Sequence, residues 1–141
     1  SWVGDLVDDP NSPVDPDIRP RIHVGKGRTA REYMELLRRR AELQADVNRR
    51  TQHLDGVLCP GTTSGAPLVA DIDQNTSPAT YTRYVNYMDW CALVVPCGFD
   101  DNSMPLALQI ACPGGEEATA LRIGSAYQGA TDWHTHHPQL G

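Results

Sequence analysis

Three hydroxyl side chains stand together in one loop of the sequence, and hydroxyls are the nucleophiles of many hydrolases. Thr62, Thr63 and Ser64 precede Gly65. A hydroxyl attacks a carbonyl only after a base takes its proton and backbone N–H groups stabilise the developing charge. A nucleophile elbow needs a strand, a sharp turn and a helix, but this segment stands before Pro67. The sequence therefore favours an ordinary loop.

The candidate bases and thiols have no better context. Lys26, the sole lysine, lies between Gly25 and Gly27, a flexible and exposed position that offers no burial to turn it into a base. Cys59, beside the hydroxyl loop, would need a histidine such as His53 to act as a thiol nucleophile. We therefore consider a thiol-dependent enzyme a weak alternative.

Two further sets of side chains have the chemistry to bind a metal or to transfer protons. Adjacent histidines in an irregular tail have no fixed geometry, so we expect Trp133 to pack while the histidines stay solvated. Loop carboxylates two residues apart are more often solvated, and Asp89 is more often a cap or an ion-pair partner. We therefore predict no metal and no cofactor. The side chains are His134, His136 and His137 in the tail and Asp71, Asp73 and Asp89 upstream.

Composition limits the classes of partner. A chain of 141 residues with 40% hydrophobic content is long enough for one domain with a core. Its net charge of −6 disfavours nucleic acid. Its four cysteines form no Cys-x-x-Cys pair, which favours free thiols in a reducing compartment. No apolar run reaches the roughly 18 to 20 residues of a membrane span, and no signal pattern begins the sequence. We expect a cytoplasmic protein without a membrane or nucleic-acid partner.

The first half of the chain predicts an arm, a helix and a strand. Prolines among acidic residues predict an irregular arm over residues 1–28. Thr29 and Glu32 have capping-box spacing, which predicts a helix that begins there and ends between Arg50 and His53. Residues 55–60 read as a short buried strand before a long loop.

The second half predicts a short helix, a hairpin and a last helix. The helix is expected over residues 80–90, and two unbroken apolar runs, 92–97 and 104–112, predict interior strands with both faces covered. Gln109 lies inside the second run, where a buried amide must be hydrogen-bonded, so it should be a structural tie. Gly114 and Gly115 open the last helix. Residues 29–141 therefore form an α/β core.

Five features of the second half of the chain together match a known family pattern. They are Asn86, Val95-Pro96-Cys97-Gly98-Phe99, Leu108-Gln109-Ile110, Glu117-Ala118-Thr119-Ala120-Leu121-Arg122-Ile123 and Ala130-Thr131-Asp132-Trp133-His134. These segments resemble the closing core of the amidase signature family, which hydrolyses amide carbon–nitrogen bonds. The run 85–93 looks closer to a subset that includes the amidase half of allophanate hydrolase.

The resemblance implies a fold, a reaction and the portion of the domain that holds the catalytic residues. It implies part of an α/β/α fold, with a mixed β-sheet flanked by helices, and makes residues 1–141 the C-terminal portion of one domain. The family's serine nucleophile, its second serine on a cis peptide and its lysine base have no counterpart here, so we expect no catalytic residue and no activity in this chain alone. The expected partners are the missing N-terminal portion, on the same or a separate chain, and a small amide.

The resemblance leaves this chain a supporting role at the substrate pocket. The loop would wall that pocket, which makes Thr62, Thr63, Ser64 and Tyr81 its candidate residues. The alternative is a non-catalytic, amidase-derived module that binds a partner or forms a homo-oligomer through an uncovered sheet edge.

Overall fold

The computed structural model describes residues 4–73 and 78–138, which fall into two compact units divided after Ala41. Short 3₁₀ turns occupy Val69–Asp71, Pro78–Tyr81 and Trp133–Thr135. The helices and strands are α1 (Gly4–Asp8), α2 (Arg19–His23), α3 (Ala30–Thr51), β1 (Val57–Pro60), α4 (Arg83–Met88), β2 (Cys91–Phe99), β3 (Pro105–Cys112) and α5 (Glu117–Ala130).

The first unit contains two short helices where the sequence predicts an irregular arm. The guanidinium of Arg19 holds the turn between them by donating to the Asp9 carbonyl at 2.8 Å and to the Ser12 hydroxyl at 3.1 Å. Pro20 lies in the first turn of α2, where a missing backbone N–H costs nothing. Short helices therefore form in spite of the prolines.

The start of α3 is fixed by the predicted capping box. The Thr29 N–H donates to Glu32 Oε2 at 2.8 Å, and the Glu32 N–H donates to Thr29 Oγ1 at 3.2 Å. The N–H of Thr29 lowers the pKa of the Glu32 carboxyl because it stabilises the anion. The predicted helix is confirmed, and it ends at Thr51.

The second unit is built on a three-stranded antiparallel sheet with the order β1-β3-β2. The strands β2 and β3 form the predicted hairpin, and Asp100 Oδ1 closes its turn by accepting from the N–H groups of Asn102 and Met104, each at 2.9 Å. A bulge between Pro96 and Gly98 shifts the register of β2. Of the two strands expected to be interior, β3 lies in the centre of the described sheet and β2 flanks it. The strand β1, expected to be buried, flanks β3 on the other side and alternates between half-buried and exposed residues.

Helices pack against part of each face of this sheet. Along β3, Ile110 and Ala111 point to opposite faces because side chains alternate along a strand. Ile110 packs in a cluster with Ala120 of α5. Ala111 packs with Met88 of α4, and Val47 at the end of α3 lies against the same cluster. The arrangement of helix, sheet and helix confirms the predicted α/β class.

Candidate functional site

A cavity of about 510 Å³ lies beside β1 and the loop that follows it. Three strands contribute to its walls, which are largely apolar: Leu58 and Pro60 belong to β1, Cys97 to β2, and residues 106–108 to β3. A volume of this size is ordinary for a pocket that binds a small molecule.

The four residues predicted to face a substrate all line this cavity. Thr62, Thr63 and Ser64 come from the loop after β1, and Tyr81 comes from the 3₁₀ turn before α4. The three loop residues are consecutive in the sequence, whereas Tyr81 lies 17 residues after Ser64 and reaches the same cavity through the fold. Their role toward a substrate stays a prediction.

Glycines set the path of the loop. The Gly61 N–H donates to the Ala107 carbonyl at 2.7 Å, and a Cβ on Gly61 would lie only 3.0 Å from the Ala107 Cβ. A Cβ on Gly65 would collide with Asp100 Oδ2, so the loop runs directly against the hairpin turn. A side chain at either glycine would therefore force the loop or its neighbour to shift.

Inside the loop, two hydroxyl groups donate to backbone carbonyls. Thr62 Oγ1 donates to the Ser64 carbonyl at 2.7 Å, and Ser64 Oγ donates to the Gly65 carbonyl at 3.0 Å. Among the residues that the structure describes, neither hydroxyl is hydrogen-bonded to a base. The loop therefore lacks the pairing that a serine nucleophile requires.

Gln109 ties the cavity wall together. Its side chain is 2% exposed, and Nε2 donates to the Tyr81 carbonyl at 2.9 Å and to Cys59 Sγ at 3.1 Å. The Cys59 sulfur also lies 3.6 Å from the Tyr84 hydroxyl. Burial first, and then the bond with Cys59, raise the pKa of Tyr84 to about 12. Gln109 thus joins β3, β1 and the 3₁₀ turn, as expected for a structural tie.

The contacts of Cys59 do not favour a thiol enzyme. Its sulfur contacts the Gln109 amide, the Tyr84 hydroxyl and the Tyr81 carbonyl, and an amide or a carbonyl cannot take a proton from the thiol. All four cysteines are free. Burial raises the pKa of Cys112, which keeps that thiol protonated.

The other candidate side chains lie in structural roles. In the first unit, Lys26 forms an ion pair with Asp8. In the second, Asp89 ends α4 in the left-handed conformation, and Gln44 Nε2 donates to its carboxylate at 3.0 Å. Asp71 lies exposed in its turn.

The tail packs as the sequence predicts. Trp133 is half-buried and packs edge-on against the Phe99 ring, with 6.1 Å between the ring centroids. The His136 ring stacks on the same Phe99 ring, with 5.7 Å between the centroids. The three tail histidines are exposed. Across residues 4–73 and 78–138, no group of three or more His, Cys, Asp or Glu side chains is placed to hold a metal ion.

No helix in the described part of the chain is both long and apolar enough to cross a membrane.

Comparison with known proteins identifies the family. The sequence model of the amidase family matches residues 8–121. The chain is 35% identical over 136 residues to one subunit of the glutamyl-tRNA(Gln) amidotransferase of Chloroflexus aggregans, covering 89% of this chain and 27% of that protein. It is 34% identical over 120 residues to 2-amino-5-chloromuconic acid deaminase of Comamonas testosteroni. This match covers 78% of this chain and 25% of the deaminase.

A third relative is also several times longer than the part that matches this chain. An amidase of Pseudomonas putida is 31% identical over 137 residues, covering 88% of this chain and 28% of the relative. The chain therefore spans about a quarter of the length of the curated relatives that it matches. The family match extends over most of the sequence, and the chain belongs to the amidase signature family.

Proposed function

We propose that this chain is the C-terminal portion of an amidase-signature hydrolase that cleaves amide carbon–nitrogen bonds. The observation that carries the proposal is the cavity beside β1, where Thr62, Thr63, Ser64 and Tyr81 converge on an apolar pocket of ligand size. The length relation to the amidase relatives supports a division of one domain between this chain and a larger portion.

In this proposal the chain builds the pocket and the catalytic groups come from elsewhere. A lysine in the larger portion takes the proton of a serine, the serine attacks the amide carbonyl, and the amine leaves. Water then releases the acid from the acyl-enzyme. The loop hydroxyls of this chain donate to backbone carbonyls rather than to a base, so their part is to line the pocket. The Gly61 N–H holds that loop to the Ala107 carbonyl of β3, and Gln109 holds the Tyr81 carbonyl beside it.

Active-site labelling tests the proposal. The 141-residue chain is treated with a fluorophosphonate, and its intact mass is measured beside a Ser64→Ala control. We expect no adduct on either protein and no release of ammonia from simple amides. Joined to the Ser–cisSer–Lys portion of an amidase relative, the chain should be labelled on that portion alone. Stoichiometric labelling of Ser64 would overturn the proposal.

A second candidate is a non-catalytic, amidase-derived module that binds a partner or a second copy of itself. Within the described residues, β1 and β2 pair only with β3, so each presents an outer edge. Leu58 on β1 is 58% exposed and Val94 on β2 is 52% exposed. Unpaired edges with apolar side chains promote association. Under the leading proposal the same surfaces face the rest of the amidase domain. A cytoplasmic setting stays a prediction.

A further inference from the structure

A second cavity, of about 410 Å³, lies between the β2–β3 hairpin and the tail, and we call it the tail cavity. Its hairpin wall includes Phe99 and Met104, and its tail wall comes from residues 133–138. A volume of this size is ordinary for a small-molecule pocket. Among the described residues, the tail cavity shares no lining residue with the cavity beside β1, so it is a separate candidate site.

Aromatic rings form one corner of the tail cavity. The rings of Phe99 and Trp133 meet edge-on, with an angle of 72° between their planes. Phe99 is nevertheless 44% exposed and Met104 is 36% exposed, so both have apolar surface that a ligand can cover. Aromatic rings and thioethers attract an aromatic ligand through stacking, edge contacts and dispersion. The corner therefore suits a flat aromatic ring.

Every ionisable side chain that the structure describes in this lining is a histidine. An imidazole is neutral or positive and never negative. The His136 ring stacks on Phe99 and lies 3.7 Å from the Asp132 carboxylate. In the described part of the chain, no hydrogen bond or ion pair involves the side chains of His134 and His137. Their ring N–H groups are therefore available to a ligand.

We propose that the tail cavity binds an aromatic carboxylate. The ring of the ligand lies against Phe99 and Trp133, and its carboxylate accepts hydrogen bonds from the imidazoles of His134 and His137. The two groups are complementary, because a carboxylate only accepts hydrogen bonds and a protonated imidazole only donates them. The inference goes beyond the proposed function and does not depend on it.

The affinity for such a ligand should rise as the pH falls from about 8 to about 6, because imidazoles in general gain a proton in this range while an aromatic carboxylate stays ionised. Each protonated imidazole adds a positive charge and a second donor. The carboxylate that faces the histidines is Asp132, whose side chain is 77% exposed, so its charge is screened by water and salt. The described lining residues of the hairpin are uncharged.

Two probes of nearly equal size test the inference in the 141-residue chain. A naphthoate and the naphthamide with the same ring position are titrated at constant ionic strength, and the indole N–H signals are followed by proton–nitrogen NMR. The Trp133 signal is identified by its loss in Trp133→Phe. The indole of Trp90, which donates to the Asn48 side chain at 3.1 Å, serves as the internal control.

We expect naphthoate to move the Trp133 signal and to leave the Trp90 signal in place. At about pH 6 the Kd of naphthoate should be at least about threefold lower than that of naphthamide, and the preference should fade toward about pH 8. The amide has no charge, so its Kd should change less with pH.

Histidine variants separate the charge from the ring contacts. His134→Ala combined with His137→Ala should remove the preference for naphthoate and leave the Kd of naphthamide within about twofold. Both histidines are exposed, so the risk to the fold is small. His53 is also exposed and lies outside the cavity, so His53→Ala should keep the preference.

Three results would each overturn the inference. They are a Trp133 signal that naphthoate does not move at about pH 6, a Kd for naphthoate equal to or higher than that for naphthamide, and a preference that survives the loss of both histidines. None of them bears on the amidase proposal, because no turnover is measured and the cavity beside β1 is not probed.

Discussion

At the scale of single residues, Gln109 shows what local sequence indicates and what it leaves open. An amide among apolar neighbours predicts a hydrogen-bonded tie, and Gln109 is one. Its partners, Cys59 and the Tyr81 carbonyl, lie 50 and 28 residues away along the chain. The pairing of β1 with β3 places Cys59 opposite Gln109, and the 3₁₀ turn before α4 brings the Tyr81 carbonyl to the same amide.

Replacing Gln109 should therefore weaken the whole cavity wall. Gln109→Leu removes the amide donor of the buried tie and leaves the Tyr81 carbonyl only the weak thiol donor Cys59, so we expect the free energy of unfolding to fall by about 1–3 kcal/mol. Urea unfolding followed by tryptophan fluorescence measures the change. Gln52 is exposed, so Gln52→Leu should stay within about 0.5 kcal/mol of the unchanged chain. Equal effects of the two substitutions would contradict the role of Gln109 as a tie.

The protonated phenol of Tyr84 contributes to the free energy of unfolding, and this contribution is lost at alkaline pH. Its pKa is raised to about 12, first by burial and then by the bond with Cys59, against an ordinary value of 10.0. The folded state therefore holds the phenol proton more tightly than the unfolded state. The resulting stability is fully present below pH 10 and is lost as the pH rises from 10 toward 12.

Comparing variants isolates this term from the other groups that titrate in the same range. Unfolding measured at about pH 9, 10 and 11 should show a steeper loss in the unchanged chain than in Tyr84→Phe. Tyr33, on the exposed surface of α3, supplies the control. A Tyr33→Phe chain that flattened the profile as much as Tyr84→Phe would rule out this assignment.

At the scale of elements, α5 lies close to β2 because Gly124 leaves room for it. A Cβ at Gly124 would collide with Leu93 Cδ2 and lie 3.6 Å from Val95 Cγ1. Gly124→Val should therefore overpack this contact and cost about 1–3 kcal/mol. Gly129 has nothing within 4 Å of its ideal Cβ, so Gly129→Ala should stabilise the same helix by up to about 1 kcal/mol. Thermal unfolding by circular dichroism separates the two outcomes, and equal signs would contradict this packing.

The elements that local patterns specify were predicted well. The capping box fixes the start of α3, and the polar turn between two apolar runs fixes the β2–β3 hairpin. Predicted boundaries differ from the observed ones by a residue or more, since residues 80–90 contain a 3₁₀ turn and then α4 over Arg83–Met88. The bulge near Gly98 was missed because register depends on both strands of a pair.

The cavity could be predicted only in part. The resemblance to amidases pointed to Thr62, Thr63, Ser64 and Tyr81, but Cys97 and residues 106–108 gave no local signal of lining it. They reach the cavity through strand order, with β3 between the other two strands. The pattern of apolar residues along the sequence does not predict the order of the strands in the sheet.

At the scale of the whole molecule, apolar surface remains on the sheet of the second unit. Leu58 and Val94 lie on strands that flank β3, and both are more than half exposed. By the register, Leu58 shares the face of Ile110, and Val94 shares the face of Gln109. Both faces therefore carry uncovered apolar side chains, as expected where one domain is divided between this chain and a larger portion.

The isolated chain should consequently self-associate as its concentration rises. Multi-angle light scattering across a hundredfold range of concentration should show a mass that increases above that of one chain, because edge pairing and apolar contact both favour association. Val94→Lys adds a charge at the outer strand β2, which should lower the average mass, whereas Thr135→Lys, in the tail, should not. If the unchanged chain stays monomeric throughout, the exposed faces do not drive association, and the self-associating alternative loses its support while the amidase proposal stands. Adding the complementary amidase portion should reduce self-association, because that portion and a second copy of this chain would compete for the same exposed surfaces.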